Sequence, residues 1–232
     1  IKPYVEGNYI FLDNDERKRF SRNSHNYLIE QVKRVKVDGV KSTSKHSIEF
    51  DQCCKYLAWV GKRSDIDERN DWNNYTNWIY PDIAPYTNEY RYKTMFSSSV
   101  SSTPPFYTVG NTEQENNFKN SVVNKHILKN IDLSFNGILR LKEKNQDYFN
   151  RVQIYQHFKN NTNDNGIYVY SFSVNPKEFQ PSGTCNFSKI NLIEMTLDIN
   201  ELPVNNSGTN YYTYDFEVYA VTYNILRIMS GI

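Results

Sequence analysis

Apolar and polar side chains alternate along much of this chain, and a period of two predicts strands with one buried face. Ile193, Met195, Leu197 and Ile199 interleave with Glu194, Thr196, Asp198 and Asn200. Between Tyr211 and Tyr223, the residues Tyr212, Tyr214, Phe216, Val218 and Ala220 share one face. Ile167 to Val174 carries Tyr168, Tyr170, Phe172 and Val174 on one side. Ile131 to Leu141 reads as a single strand, with Ile131, Leu133, Phe135, Leu139 and Leu141 inward. Tyr27 to Val37 places Tyr27, Ile29, Val35 and Val37 together, and Asp38-Gly39 predicts a turn after it. Tyr4 to Leu12 and the Ile48/Phe50 pair predict further strands; Tyr56 to Val60, nearly all apolar, predicts a central one.

Two short helices interrupt the pattern. Asp13 is an N-cap candidate with Glu16 three residues on, which predicts a helix over Asp15 to Ser21. Gln146 to Phe158 has helical spacing, with Tyr148, Val152 and Tyr155 on one stripe and Phe149 beside them. About seven or eight alternating strands with helices only in the connections imply an all-β, antiparallel two-sheet sandwich. Pattern alone leaves jelly-roll and immunoglobulin-like topologies open. Residues 62–125, with Pro81, Pro85, Pro104-Pro105 and a serine run, are expected to form one long surface loop insertion in a single domain spanning 1–232.

Composition narrows the function classes. Hydrophobic residues make up 38% of the 232 residues, enough for a sizeable core, and aromatics reach 15%. Tyrosine, at 19 copies, suits strands and interfaces where a ring packs and its hydroxyl stays wet. The net charge of +1, with both signs interspersed, gives no footprint for a nucleic-acid partner. No apolar stretch approaches the length of a transmembrane helix. The chain opens on Ile1 without a signal peptide, which suggests a fragment or processed product. Cys53 and Cys54 are adjacent and Cys185 is alone, so a reducing compartment is favoured and a zinc site is not.

Four segments carry a family resemblance. The first is Leu12-Asp13-Asn14-Asp15-Glu16-Arg17 with Phe20, then Tyr27-Leu28-Ile29-Glu30-Gln31. The second is Asn136-Gly137 with Arg140, then Tyr148-Phe149, Val152-Gln153 and Tyr155-Gln156-His157. The third runs from Tyr168-Val169-Tyr170-Ser171-Phe172 through Asn175-Pro176 to Gln180-Pro181-Ser182-Gly183-Thr184-Cys185-Asn186-Phe187-Ser188. The last is Tyr223-Asn224-Ile225-Leu226-Arg227-Ile228-Met229-Ser230-Gly231. Together they resemble the second jelly roll of the major capsid proteins of nucleocytoplasmic large DNA viruses, iridovirus and giant-virus members in particular. Ile154 and Phe179 depart from that pattern, where the family usually has proline and histidine.

The resemblance implies a non-enzymatic shell subunit. It would form a homotrimer of pseudo-hexagonal outline and tile an icosahedral virion. Its partners would be copies of itself, neighbouring capsomers and minor capsid proteins, with assembly in the host cytoplasm and no cofactor. The other reading is a jelly-roll carbohydrate-binding module that stacks sugars on Trp72, Trp78 or tyrosines of the insertion.

Candidate chemistry is sparse. Ser182 or Cys185 could suggest a nucleophile, but Pro181-Ser182-Gly183 reads better as a turn, and its spacing is not that of a nucleophile elbow. Asp13, Asp15 and Glu16 are explained as a helix cap rather than a calcium cluster. Lys33, Arg34 and Lys36 are expected on a solvated strand edge. Asn74, Asn160, Asn186 and Asn205 each begin an Asn-x-Ser/Thr sequon; Asn74, Asn160 and Asn205 are the possible glycosylation sites, while Asn186 is expected to serve its turn.

Overall fold

The computed structural model describes residues 3–70, 72–78, 125–159, 165–202 and 212–229. The chain divides into two compact units, Ile1–Gln31 with Tyr223–Ile232, and Val32–Thr222.

Among the described residues, nine strands build two sheets. One follows the order β1 (His25–Val40), β9 (Tyr214–Ile228), β3 (Cys53–Arg63) and β6 (Ile167–Ser171), with the short β7 (Cys185–Asn186) also on β3. The other follows β2 (Ser44–Ser47), β8 (Ile193–Ile199), β4 (Leu128–Phe135) and β5 (Ile138–Asn145). Strand β3 pairs antiparallel with β6 and β7, β8 with β2 and β4, and β4 with β5. This is the expected antiparallel jelly-roll sandwich.

The alternation decides which side chains line its core. Ile193, Met195, Leu197 and Ile199 of β8 are buried, as are Tyr214, Phe216, Val218 and Ala220 of β9. Ile131 and Leu133 of β4 and Leu57 and Trp59 of β3 join them in one apolar cluster. Trp59 meets Phe149 edge-on at 5.1 Å and stacks on Tyr168 at 6.1 Å. Each such side chain contributes roughly 1.5–3 kcal/mol by leaving water.

Helix α1 (Asn14–Arg22) begins where the cap motif placed it. The Asp13 carboxylate accepts the amides of Asp15 and Glu16 at 3.0 and 2.8 Å. Acids in its first turn and bases in its last complement the helix dipole. A second, single-turn helix, α2 (Ile66–Arg69), follows β3.

Several expectations need correction. Tyr4 to Leu12 is not a strand: the segment has no regular structure, and Tyr4, Val5, Tyr9, Ile10 and Phe11 are exposed. Alternation makes a strand only where a neighbouring ladder takes up its backbone groups, and among the described residues no strand pairs with it. Strand β1 runs through the predicted Asp38-Gly39 turn to Val40, with Gly39 at φ +74°.

Ile48 and Phe50 are buried just beyond β2, and the Ile48 amide donates to Ile193 O at 2.8 Å. The predicted strand Ile131 to Leu141 is a hairpin. Asn136 and Gly137 sit at φ +51° and +80°, the backbone of a tight two-residue turn, so β4 and β5 pair across it. Ile138 and Leu139 consequently face solvent.

Residues Tyr148–Val152 and Ile154–Phe158 are π-helical, so the predicted stripe of Tyr148, Val152 and Tyr155 is rotated. Phe149 is buried as expected, but Asn150, Gln153 and Ile154 join it, while Val152 and Tyr155 are exposed. An i→i+5 helix carries extra residues per turn, which turns a face chosen at 3.6-residue spacing away from the core.

Candidate interaction surfaces and buried polar sites

The end of β3 enters a buried polar knot. Arg63 and Asp65, 3% and 7% exposed, form a two-toothed ion pair, Nε to Oδ1 at 2.9 Å and Nη2 to Oδ2 at 2.5 Å. Arg63 Nη1 donates to Asn77 O at 3.0 Å, and the guanidinium lies 3.6 Å from the Tyr212 ring centre. The hydroxyls of Tyr212 and Tyr214 both donate to Asn77 Oδ1, at 2.6 and 2.9 Å. Burial, with the neighbouring Tyr212 hydroxyl, pushes the Tyr214 phenol far above its ordinary range, so it stays a neutral donor. The knot ties the first residues beyond β3 to β9. Nothing in the sequence pattern announced it, because Asn77 and Tyr212 are distant along the chain.

The Pro181-Ser182-Gly183 loop is held by its serines. Ser182 Oγ lies 2.6 Å from Ser173 Oγ, accepts the Asn175 amide at 2.9 Å and donates to Asn175 O at 3.2 Å. With its hydroxyl so engaged, Ser182 is a loop staple, in keeping with the turn reading. Asn186 Oδ1 accepts the Ser188 amide at 3.1 Å, the turn duty expected of it. His157 Nδ1 meets Val174 O at 3.0 Å.

The basic run on β1 is matched by acids. Lys33 pairs with Asp51, Arg34 lies 3.8 Å from Glu217, and Lys36 is 3.3 Å from Asp38. Hydrogen bonding from Lys33 holds the Asp51 carboxyl below its usual range. Among the described residues, no group of three or more His, Cys, Asp or Glu side chains is placed to hold a metal ion. No helix among them is long and apolar enough to cross a membrane.

The sequon at Asn74 is folded into a turn. Its side chain is buried, Nδ2 donates to Trp78 O at 2.7 Å, and Oδ1 accepts from the amide and hydroxyl of Thr76 at 2.9 and 2.7 Å. Asn160 and Asn205 lie outside the described residues, as do residues 79–124 of the expected insertion. Of the aromatic residues suggested for sugar stacking, Trp72 is exposed and its indole N–H donates to Asn70 Oδ1. The ring of Trp78 is faced by Lys125 Nζ at 5.2 Å.

The exposed apolar side chains are the remaining surface feature. In the unit of residues 1–31 and 223–232 they include Val5, Ile10, Phe11, Ile225, Leu226 and Met229. In the unit of residues 32–222 they include Ile138, Leu139, Tyr155, Val174 and Phe179. Where such groups form one contiguous patch they mark an interaction site.

The described residues thus form a two-sheet antiparallel jelly roll that leaves several large apolar side chains exposed. The profile of the family described as large eukaryotic DNA virus major capsid protein matches residues 16–232, and the chain belongs to that family. It is 32% identical to the major capsid protein of Phaeocystis pouchetii virus over 267 residues, covering 96% of this chain and 50% of that protein. Identity to the major capsid protein of Paramecium bursaria Chlorella virus 1 is 31% over 243 residues, with 96% and 51% covered.

Among solved structures, a quasi-atomic model of the PBCV-1 virus capsid superimposes with a TM-score of 0.65 at 29% identity, over 96% of this chain and 54% of that one. The chain thus spans about half the length of the curated relatives it matches.

Proposed function

We propose that this chain is a shell-building subunit of an icosahedral capsid. In that reading it supplies the C-terminal jelly roll of a double-barrel protomer that associates as a trimer of pseudo-hexagonal outline. Its partners are further copies, neighbouring capsomers and minor capsid proteins, and its place is the virion shell.

The observation that carries the reading is a stiff sandwich of the capsid family that still leaves large apolar side chains uncovered, with Val5 at 97%, Phe11 at 93% and Phe179 at 89% exposure. Subunits of a shell meet over broad areas, and burying such groups between them removes the cost of exposing them. Of the expected surface insertion, residues 62–78 depart from a surface loop, since Arg63, Asp65 and Asn77 are buried in the knot; residues 79–124 make up the loop excursion in this reading.

Mass and shape of the particle test the proposal. Protein released gently from virions should run as a trimer in size-exclusion chromatography with light scattering, and appear six-sided by negative-stain electron microscopy. A monomer at every concentration tried overturns the trimeric shell reading.

A further inference from the structure

Cys54 of β3 and Cys185 of β7 stand directly opposite each other in antiparallel register, one step from the Cys53/Asn186 pair. Opposed residues on such a ladder point to the same face, with Cα atoms about 4.5–5.5 Å apart. That separation lies inside the range of about 4.4–6.8 Å that a disulfide spans. Cys54 is fully buried in the apolar cluster, its thiol donating to Tyr56 O at 3.3 Å, and the half-buried Cys185 packs against that cluster. All three cysteines are free.

We infer that Cys54 and Cys185 form a redox-responsive clamp, closing to an intramolecular disulfide that locks the Pro181-Ser182-Gly183 loop onto the central strand β3. The clamp is open in a reducing compartment and closes when a small-molecule disulfide such as oxidised glutathione reaches it. The half-buried Cys185 thiolate attacks one sulfur of that oxidant, giving a mixed disulfide and expelling one glutathione thiolate. The Cys54 thiolate then attacks the Cys185 sulfur and expels the second. Two cysteine thiols are oxidised, one glutathione disulfide is reduced to two thiols, and the two cysteine protons pass to the departing thiolates.

Burial, and then the adjacent Cys185, raise the Cys54 thiol; burial also raises Cys185. Closure is therefore slow near neutral pH and accelerates as pH rises, because only thiolates attack. The β7 strand is two residues long, so the covalent link reinforces a contact that few hydrogen bonds hold. The chemistry stands apart from the shell proposal, and either can fail without the other.

The test is to incubate the full chain with oxidised glutathione, block residual thiols and map the non-reduced digest by mass spectrometry. A peptide holding Cys54 joined to one holding Cys185 is expected in the parent chain and in Cys53→Ser. The linkage should be lost in Cys185→Ser, a change at a half-buried position. Oxidation should also raise the thermal midpoint of the parent, reversibly with dithiothreitol, and leave that of Cys185→Ser unmoved. The inference is overturned by linkage of Cys53 to Cys54 or to Cys185 instead, by glutathione stalled on Cys185, or by three thiols that stay free.

Discussion

Gly61 lies against the ring of Phe216: a Cβ added at residue 61 would come 2.7 Å from Phe216 Cε1. Phe216 is fully buried and flanked edge-on by Tyr214, so its ring has little room to retreat. Gly61→Ala should therefore overpack the sandwich and cost about 1–3 kcal/mol in denaturant unfolding. Trimming the ring with Phe216→Leu in the Gly61→Ala background should recover part of that loss. Equal stability of Gly61→Ala and the parent would remove the packing argument.

The Arg63–Asp65 pair makes a second energetic prediction. Both partners are nearly dry, so removing Asp65 takes a two-toothed counter-charge from a buried guanidinium. Asp65→Leu should destabilise by about 3–5 kcal/mol, whereas Arg63→Met with Asp65→Leu should lose clearly less, since both charges of the pair are then gone. A double-mutant cycle in urea measures the difference. Simple additivity of the two single changes would show that the pair does not act as a unit.

How far the sequence led depended on whether the local period matched the final geometry. Strand β8 was legible residue by residue, because Ile193, Met195, Leu197 and Ile199 all face the other sheet while their neighbours stay half-exposed. The β4–β5 hairpin was hidden by a coincidence. Apolar residues at 139 and 141 continue the odd-numbered series across the Asn136-Gly137 turn, so the run looked unbroken despite the turn signal within it.

In the π-helical stretch, the shift of buried positions to Asn150, Gln153 and Ile154 cannot be foreseen from a 3.6-residue period. The Arg63 knot and the Cys54/Cys185 pairing were illegible for another reason. Each joins residues brought together only by strand order, which alternation does not encode.

Asn136 does more than turn the chain. Its Oδ1 accepts the amides of Asn191 and Leu192 at 2.9 and 3.0 Å, tying the hairpin to the entry of β8. Asn136→Ala should lose both bonds and the ease with which asparagine adopts positive φ, at a cost of about 1–3 kcal/mol. Asn136→Asp keeps an acceptor and should cost less. Hydrogen exchange at Asn191 and Leu192 should quicken in the alanine variant; unchanged protection there would mean that the side-chain bonds contribute nothing.

The imidazoles predict how stability changes with acidification. Burial lowers the pKa of His126 from its ordinary 6.5, and its Nδ1 is buried without a hydrogen-bond partner among the described residues. Asp147 raises that pKa while Arg151 and Lys125 lower it further, all as lesser causes. Burial lowers His46 in the same direction. A lowered folded pKa means that the unfolded chain takes up protons first. The folded state therefore keeps its full advantage above about pH 6.5 and loses it as pH falls from there through the folded value.

The carboxylates whose pKa is held down, Asp51 and Glu194, act in a separate window, below their ordinary values of 3.8 and 4.5. Unfolding free energy should thus decline as pH falls from about 6.5 through the folded imidazole values, ahead of the Asp51 and Glu194 window. His126→Gln combined with His46→Gln should flatten that decline and leave the steeper loss at lower pH in place. If the double variant follows the parent's curve through this window, the two half-buried imidazoles are not its origin.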